Sequence, residues 1–218
     1  MQGRLIVLEG CDGSGKSTQL ALLTKALEAQ GKDVHTLSYP VYASDSSALV
    51  RMYLSGRFGT DPEAVNPYMA SSFYAVDRCA DYLANWKADY EAGALFVSGR
   101  YTTSNAVHQG AKLSGDARAA YTDWLFSYEY DLLGLPKPDL VVFLDIPVSL
   151  ALSNIEKRGE QKDIHETRAY IEKSRESALF SADRYGWVVL NCEKDGKMRP
   201  ADEISKDIQA IIRERALV

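Results

Sequence analysis

The chain alternates between short apolar segments and longer segments in which apolar residues recur at helical spacing. The short segments predict β-strands at residues 5–8, 33–37, 94–98, 140–144 and 187–190. The longer segments predict helices at residues 17–29, 46–54, 67–91, 117–130, 149–158, 166–185 and 201–216. Strands that alternate with helices are typical of a parallel sheet covered by helices. We therefore expect an α/β fold with a doubly wound, five-stranded parallel sheet and ligands at the carboxyl ends of its strands.

Length and composition fit one domain of ordinary size. The 218 residues are 46% hydrophobic, enough to bury a core, and we expect a single domain over residues 1–218. The formal net charge of −5 argues against a protein that coats nucleic acid or lies on a membrane surface. The first residues show no signal-peptide pattern, and no apolar run reaches the length of a membrane span. We therefore expect a cytoplasmic protein.

A glycine-rich loop follows the first predicted strand and precedes the first predicted helix. Residues 10–17 read G-C-D-G-S-G-K-S, which matches the phosphate-binding pattern G-x-x-x-x-G-K-[ST]. Glycines let backbone N–H groups close around phosphates, and the amino end of the following helix attracts negative charge. Lys16 is placed for the β- and γ-phosphates and Ser17 for Mg²⁺. The sequence therefore predicts a nucleoside triphosphate site, formed by Gly10, Asp12, Gly13, Ser14, Gly15, Lys16, Ser17 and Thr18.

Further segments carry a second pattern along the chain. They read S-Y-P at residues 38–40, F-Y-A-V-D-R at 73–78, S-G-R-Y-T-T-S-N-A-V-H-Q-G at 98–110 and L-P-K-P-D-L at 135–140, with a basic segment around Arg158. Together with the phosphate loop, their order and spacing resemble the thymidylate kinase family of nucleoside monophosphate kinases. The resemblance covers nearly the whole chain. It implies Mg²⁺-dependent transfer of the γ-phosphate of ATP to dTMP, which gives dTDP, and it implies a homodimer.

The resemblance assigns roles to residues that would hold the acceptor nucleotide. Arg100 follows the third predicted strand, where the family has an arginine that binds the acceptor phosphate. A planar guanidinium suits a phosphate because it can donate two parallel hydrogen bonds. Tyr74 and Arg78 are four residues apart on one helical face, where Tyr74 would stack on the base and Arg78 would donate to its carbonyl edge. Asp12 resembles the residue that accepts a hydrogen bond from the sugar 3′-hydroxyl, although it could instead cap the loop.

Other side chains match positions around the same acceptor pocket. They are Tyr39, Tyr101, Ser104, Asn105, His108 and Gln109. Short polar side chains at such positions can form hydrogen bonds with the edges of a base or a sugar. Some of these residues have a purely structural alternative. Tyr101 could pack in the core, and any of Ser104, Asn105 and Gln109 could cap a helix, Ser104 especially.

The basic segment at about residues 156–165 resembles the lid that the family closes over the donor phosphates. An arginine from such a lid stabilises charge in the transition state, and we assign this role to Arg158, with Lys162 as a helper. The family carries this arginine either in the phosphate loop or in the lid, and the glycine at Gly13 favours the lid. The predicted catalytic residues are Lys16, Arg100 and Arg158. A basic run is also typical of a solvated helix end.

Two positions depart from the family pattern. Gly99 stands where the family has an aspartate that helps to hold Mg²⁺ through its waters, and loss of such a carboxylate typically costs about 10–100-fold in function. His108 stands where a tyrosine or phenylalanine is usual, near the sugar 2′ carbon. These departures leave two alternatives open. One is a kinase for another nucleoside monophosphate or for a deoxynucleoside, and the other is a nucleotide-binding regulator with little turnover.

Two other nucleotide-binding classes are disfavoured. The chain lacks the Asn-Lys-x-Asp segment with which GTPases read guanine, and its expected lid is short for an adenylate kinase.

Overall fold

The computed structural model describes residues 2–59, 61, 63–158 and 167–218, without the side chain of residue 158. Within these residues, the main sheet consists of β1 Arg4–Glu9, β2 Val34–Leu37, β3 Leu95–Ser98, β4 Leu140–Asp145 and β5 Val188–Asn191. Its strand order is β2-β3-β1-β4-β5, and every neighbouring pair is parallel. The predicted five-stranded parallel sheet is confirmed, and each strand lies within one residue of its predicted bounds.

Helices connect these strands and cover the sheet. They are α1 Lys16–Ala29, α2 Ala48–Leu54, α3 Pro67–Asp81, α4 Lys87–Ala92, α5 Thr102–His108, α6 Gly115–Phe126, α7 Val148–Arg158, α8 Arg168–Tyr185 and α9 Ala201–Glu214. Two π-helical segments interrupt the predicted pattern, because Tyr82–Trp86 joins α3 to α4 and Ser127–Leu132 extends α6. Across the described ranges, no helix combines the length and the apolarity needed to cross a membrane.

Among the strands and α-helices of the described residues, one hairpin and one helix were not predicted. One is a small antiparallel hairpin formed by β6 Glu193–Lys194 and β7 Lys197–Met198. The other is α5, whose sequence T-T-S-N-A-V-H shows no apolar stripe. Its polar residues are nevertheless buried, because their side chains hydrogen-bond to other buried polar groups instead of water. The polar sequence of α5 therefore does not indicate that this segment is a buried helix.

The central strand β1 sets the position of the loops that follow the sheet. Its residues Leu5 to Leu8 are fully buried. In register, Val7 lies opposite Ser98 of β3, and Glu9 lies opposite Phe143 of β4. Because parallel strands end at the same edge of a sheet, the loop after β1 and the loop after β3 lie side by side. This edge carries the phosphate loop and residues 99–101.

Candidate active site

The phosphate loop turns at the carboxyl end of β1 and lines a cavity. Gly13 and Gly15 have φ values of 80° and 87°, a left-handed conformation that glycine adopts without steric penalty. Gly10 lies beneath the loop, where an added Cβ atom would come within 2.3 Å of the Ser14 hydroxyl oxygen. Gly15 precedes α1, so unpaired N–H groups at the start of that helix face the cavity. The predicted residues that line the cavity are Asp12, Gly13, Ser14, Gly15, Lys16, Ser17 and Thr18.

Two polar groups of the loop are ready for an anionic ligand. The ammonium group of Lys16 is buried and donates hydrogen bonds to the carbonyl oxygens of Gly10 and Cys11. Burial, reinforced by the positive charge of Arg100, lowers the pKa of Lys16. The Ser14 hydroxyl is also buried and has no hydrogen-bond partner among the described residues. Because a buried hydroxyl without a partner is costly, a phosphate oxygen that accepts from Ser14 would be stabilising.

A second cavity lies on the other side of Asp12, and we call it the acceptor cavity. It brings together every residue predicted for the acceptor: Asp12, Tyr39, Tyr74, Arg78, Arg100, Tyr101, Ser104, Asn105, His108 and Gln109. The structure adds Tyr42 and Tyr170 to the lining, which sequence patterns gave no reason to select. Asp12 and Arg100 line both cavities. The two cavities therefore meet at these two side chains.

Arg100 is oriented by two partners. Its Nη2 donates to Oδ1 of Asp12 at 2.6 Å, and its Nη1 lies 3.2 Å from Nε2 of His108. Because arginine only donates, a neutral His108 would accept this hydrogen bond at Nε2. Burial alone would raise the pKa of Asp12, but Arg100 and Lys16 hold it well below its usual value. The guanidinium is thus presented at the boundary of the two cavities with a carboxylate beside it.

Arg78 forms a buried ion pair that the sequence did not reveal. Its Nε donates to Glu129 at 2.7 Å and its Nη2 donates to Asn105 Oδ1 at 2.9 Å, and Glu129 also accepts from Nη2. Glu129 is fully buried and lies on the π-helical segment after α6. Arg78 therefore offers the acceptor cavity chiefly its Nη1, which among the described residues makes a single long hydrogen bond, 3.5 Å to the Tyr101 carbonyl oxygen.

A second buried carboxylate holds α5 in place. The Thr103 and Ser104 hydroxyls donate to Oε1 of Glu9 at 2.7 Å and 2.6 Å. Burial raises the pKa of Glu9 despite these hydrogen bonds. Ser104 lies inside α5 and its hydroxyl is used by Glu9, so it is not the cap of that helix. Glu9 thereby fixes the helix that carries Asn105 and His108 to the end of β1.

Two tyrosines use their hydroxyls within the protein. Tyr101 is fully buried and its hydroxyl donates to the Pro136 carbonyl oxygen at 2.9 Å. The Tyr39 hydroxyl donates to Asp81 at 2.7 Å and accepts from Trp86 Nε1 at 3.0 Å. Both residues therefore present their rings to the acceptor cavity, which agrees with the core-packing alternative for Tyr101.

Gln109 lines the acceptor cavity and has one buried polar atom without a partner among the described residues. Its Nε2 donates to the Tyr53 hydroxyl at 3.3 Å, whereas its Oε1 is buried without a partner in the described part of the chain. Tyr74 packs edge-on against the same Tyr53 ring, with a centroid distance of 6.4 Å. The cavity thus combines an aromatic side chain, Tyr74, with a polar one, Gln109, which is suited to a nucleotide base.

Gly99 lies on the phosphate cavity, next to Ser38 at the end of the neighbouring strand. A Cβ atom added at Gly99 would approach Leu20 Cδ2 to 3.3 Å, a contact that a small shift of the leucine relieves. Among the described residues that line the phosphate cavity, Asp12 is the one carboxylate. The position therefore has room for a side chain, and glycine is not required there by the backbone.

The expected lid falls largely outside the described residues. Lys162 is not described, and Arg158 is the last residue of α7, with no description of its side chain. The same helix contributes Asn154 to the phosphate cavity, a residue that the sequence analysis did not select.

A phosphate loop at the carboxyl edge of a parallel sheet, beside a second cavity that an arginine shares with it, defines a P-loop kinase that acts on two nucleotides. A family model described as thymidylate kinase matches residues 8–200. Thymidylate kinase of Mycobacterium tuberculosis (strain H37Rv) is 30% identical over 202 residues, which cover 88% of this chain and 92% of the relative. A probable thymidylate kinase of Pyrobaculum aerophilum is 28% identical over 208 residues, 95% of each chain.

The fold is also similar to that of a solved structure. The structure of thymidylate kinase from Candida albicans superposes with a TM-score of 0.74 at 21% identity and covers 99% of this chain and 93% of its own. The chain belongs to the thymidylate kinase family.

The buried Arg78–Glu129 pair generates a prediction about stability. Replacing Glu129→Ala leaves the Arg78 charge buried without its partner, so we expect a loss of about 3–5 kcal/mol in the free energy of unfolding. Urea-induced unfolding measures this loss. The matched control is Asp123→Ala, which breaks the exposed pair between Asp123 and Arg184 and should have a far smaller effect. Equal losses in the two variants would contradict this account of the pair.

Proposed function

We propose that the protein transfers the γ-phosphate of Mg²⁺-ATP to dTMP and releases ADP and dTDP. The observation that carries this proposal is the shared position of Arg100 and Asp12, which line both the phosphate cavity and the acceptor cavity. Two nucleotides bound in these cavities would have their phosphates next to each other. Phosphoryl transfer depends mainly on such positioning and on charge neutralisation.

The phosphate cavity fits the triphosphate of ATP. The loop N–H groups and the Ser14 hydroxyl would donate to phosphate oxygens, and Lys16 would exchange its loop carbonyls for the β- and γ-phosphates. Ser17 is exposed on the cavity, where its hydroxyl would hold Mg²⁺. The described residues contain no cluster of three or more metal-binding side chains. This donor set suits Mg²⁺, which keeps several waters and relies on substrate phosphates, and which neutralises phosphate charge when bound.

The acceptor cavity fits dTMP. Arg100 would bind its phosphate, and Asp12 would accept from the sugar 3′-hydroxyl. Tyr74 would stack on the thymine, with Arg78 Nη1 and Gln109 Oε1 on its polar edge. No general base is needed, because the attacking phosphate oxygen is already ionised near neutral pH.

Four cations would neutralise charge during the transfer. Lys16 acts on the β- and γ-phosphates and Arg100 on the acceptor phosphate, and we assign the transferring group to Arg158 with help from Lys162. The whole chain would act as one nucleotide kinase domain, with its lid at about residues 156–165. A reaction between two small nucleotides needs no nucleic acid or membrane, which is consistent with a cytoplasmic protein.

The acceptor assignment is tested by ADP release from Mg²⁺-ATP with dTMP, dUMP, UMP, CMP, AMP or thymidine. We expect clear preference for dTMP, because the acceptor cavity combines a phosphate-binding arginine with a base-binding aromatic residue. Preference for another monophosphate, or for thymidine, would transfer the assignment to that acceptor. Binding of ATP without turnover of any acceptor would favour the alternative that the protein is a nucleotide-binding regulator.

Restoring a carboxylate at residue 99 separates an impaired kinase from a regulator. We expect Gly99→Asp to raise kcat by about 10–100-fold, because the new carboxylate would lie on the phosphate cavity near Ser17. Gly99→Asn, of equal size but without charge, is the matched control and should gain much less. Equal rates in the wild type and both variants would show that this carboxylate does not limit the reaction.

We also propose a homodimer formed through α3 and its π-helical extension. Met69, Val76 and Leu83 recur at seven-residue intervals and are 57%, 50% and 68% exposed. Such spacing places apolar side chains along one side of a helix, as in helices that pack against each other.

Light scattering on a size-exclusion column tests this interface. We expect a dimer for the wild type and a monomer for Val76→Asp, since a charge in the apolar contact would be buried without a partner. Val189→Asp is the control, because Val189 is 45% exposed on β5, away from the proposed interface. A monomeric wild type, or a Val76→Asp dimer, would contradict the assignment.

A further inference from the structure

Asn154 connects helix α7 to the phosphate loop. Its Nδ2 donates to the carbonyl oxygen of Gly13 at 2.9 Å. A backbone carbonyl can only accept, so the orientation of the carboxamide is fixed, with its NH₂ group against the loop. Asn154 is half-buried and lines the phosphate cavity. The residue thus touches the loop and faces the space where the loop binds its ligand.

The contact occurs where α7 lies directly on the loop. A Cβ atom added at Gly13 would come within 2.4 Å of the Ala151 carbonyl oxygen, so no side chain fits between the helix and this part of the loop. Asn154 lies about one helical turn after Ala151 on α7. Its hydrogen bond therefore holds the Gly13 peptide, whose φ of 80° forms part of the turn of the loop, against α7.

The Asn154 carboxamide can form further hydrogen bonds. Its second N–H and its Oδ1 make no hydrogen bond to any other described residue. The surrounding residues of the cavity include Ser14, Gly15 and Lys16, all of which carry donors suited to phosphate. The second N–H of Asn154 would add one more donor to these groups, because amide N–H groups form strong hydrogen bonds with phosphate oxygens.

We propose that Asn154 is a phosphate-binding residue of the donor site. It holds the Gly13 carbonyl oxygen against α7, away from the bound phosphates, and it donates its second N–H to a phosphate oxygen of the donor nucleotide. The inference rests on the proposed function for the identity of that nucleotide as ATP. The phosphate contact itself depends only on the loop and the helix.

The test measures ligand binding without turnover, by calorimetric titration of ATP, inorganic tripolyphosphate and dTMP separately. For Asn154→Ala we expect the Kd of ATP and of tripolyphosphate to rise by about tenfold, the size of one hydrogen bond to a charged group. For Asn154→Asp we expect a larger rise, because a carboxylate repels phosphate. The Kd of dTMP should stay unchanged, since Asn154 does not line the acceptor cavity.

A matched control and a stability measurement make the outcome decisive. Asn85→Ala removes an exposed asparagine that donates to Asp81, and it should leave the Kd of all three ligands unchanged. Unchanged ATP binding in the Asn154 variants, with or without a lower Tm, would overturn the proposal. So would weaker ATP binding with unchanged tripolyphosphate binding, which would place the contact on the nucleoside. If the wild type binds ATP but phosphorylates no acceptor, the proposed function fails while the Asn154 result still stands.

Discussion

The ion pair between Arg100 and Asp12 is the contact around which both cavities are arranged. Its two residues are 88 positions apart in the chain, and their side chains meet at 2.6 Å because β1 and β3 are neighbours in the sheet. The parallel register brings the phosphate loop and the start of the next loop to the same edge. A ligand bound by Arg100 would therefore lie beside the phosphate cavity, which is what transfer between two nucleotides requires.

Two buried carboxylates hold the elements that surround this ion pair. Glu9 accepts from Thr103 and Ser104, and Glu129 accepts from Arg78 and from Thr102. Both therefore tie α5 to its surroundings, one at the end of β1 and the other at the π-helical segment. Buried hydroxyl and carboxyl groups are costly without hydrogen-bond partners, so these contacts hold α5 in position. That helix carries Asn105 and His108, and its fixed position gives the acceptor cavity its shape.

The sheet and the loop could be predicted because their signals are local. Apolar runs between helical patterns indicate the strands, and the loop pattern requires glycines at particular backbone conformations, as Gly13 and Gly15 show. The resemblance to a family selected the side chains predicted for the acceptor, and the structure brings them into one cavity. Helix α5 and the partner of Arg78 could not be predicted in this way. Polar residues in α5 look like a loop until their buried partners are known, and Glu129 is 51 residues from Arg78. The contact of Asn154 with Gly13, across 141 residues, is likewise a product of packing.

The central claim is that two nucleotides bind on either side of Arg100 and Asp12 with their phosphates in line. The most direct measurement is calorimetric binding of a compound that joins adenosine and thymidine at their 5′ ends through a polyphosphate chain. The account predicts binding at one site per chain, tighter than ATP or dTMP alone, with displacement by either nucleotide, because linking two ligands raises their effective concentration. Displacement by ATP but not by dTMP, with affinity no greater than that of ATP, would contradict it.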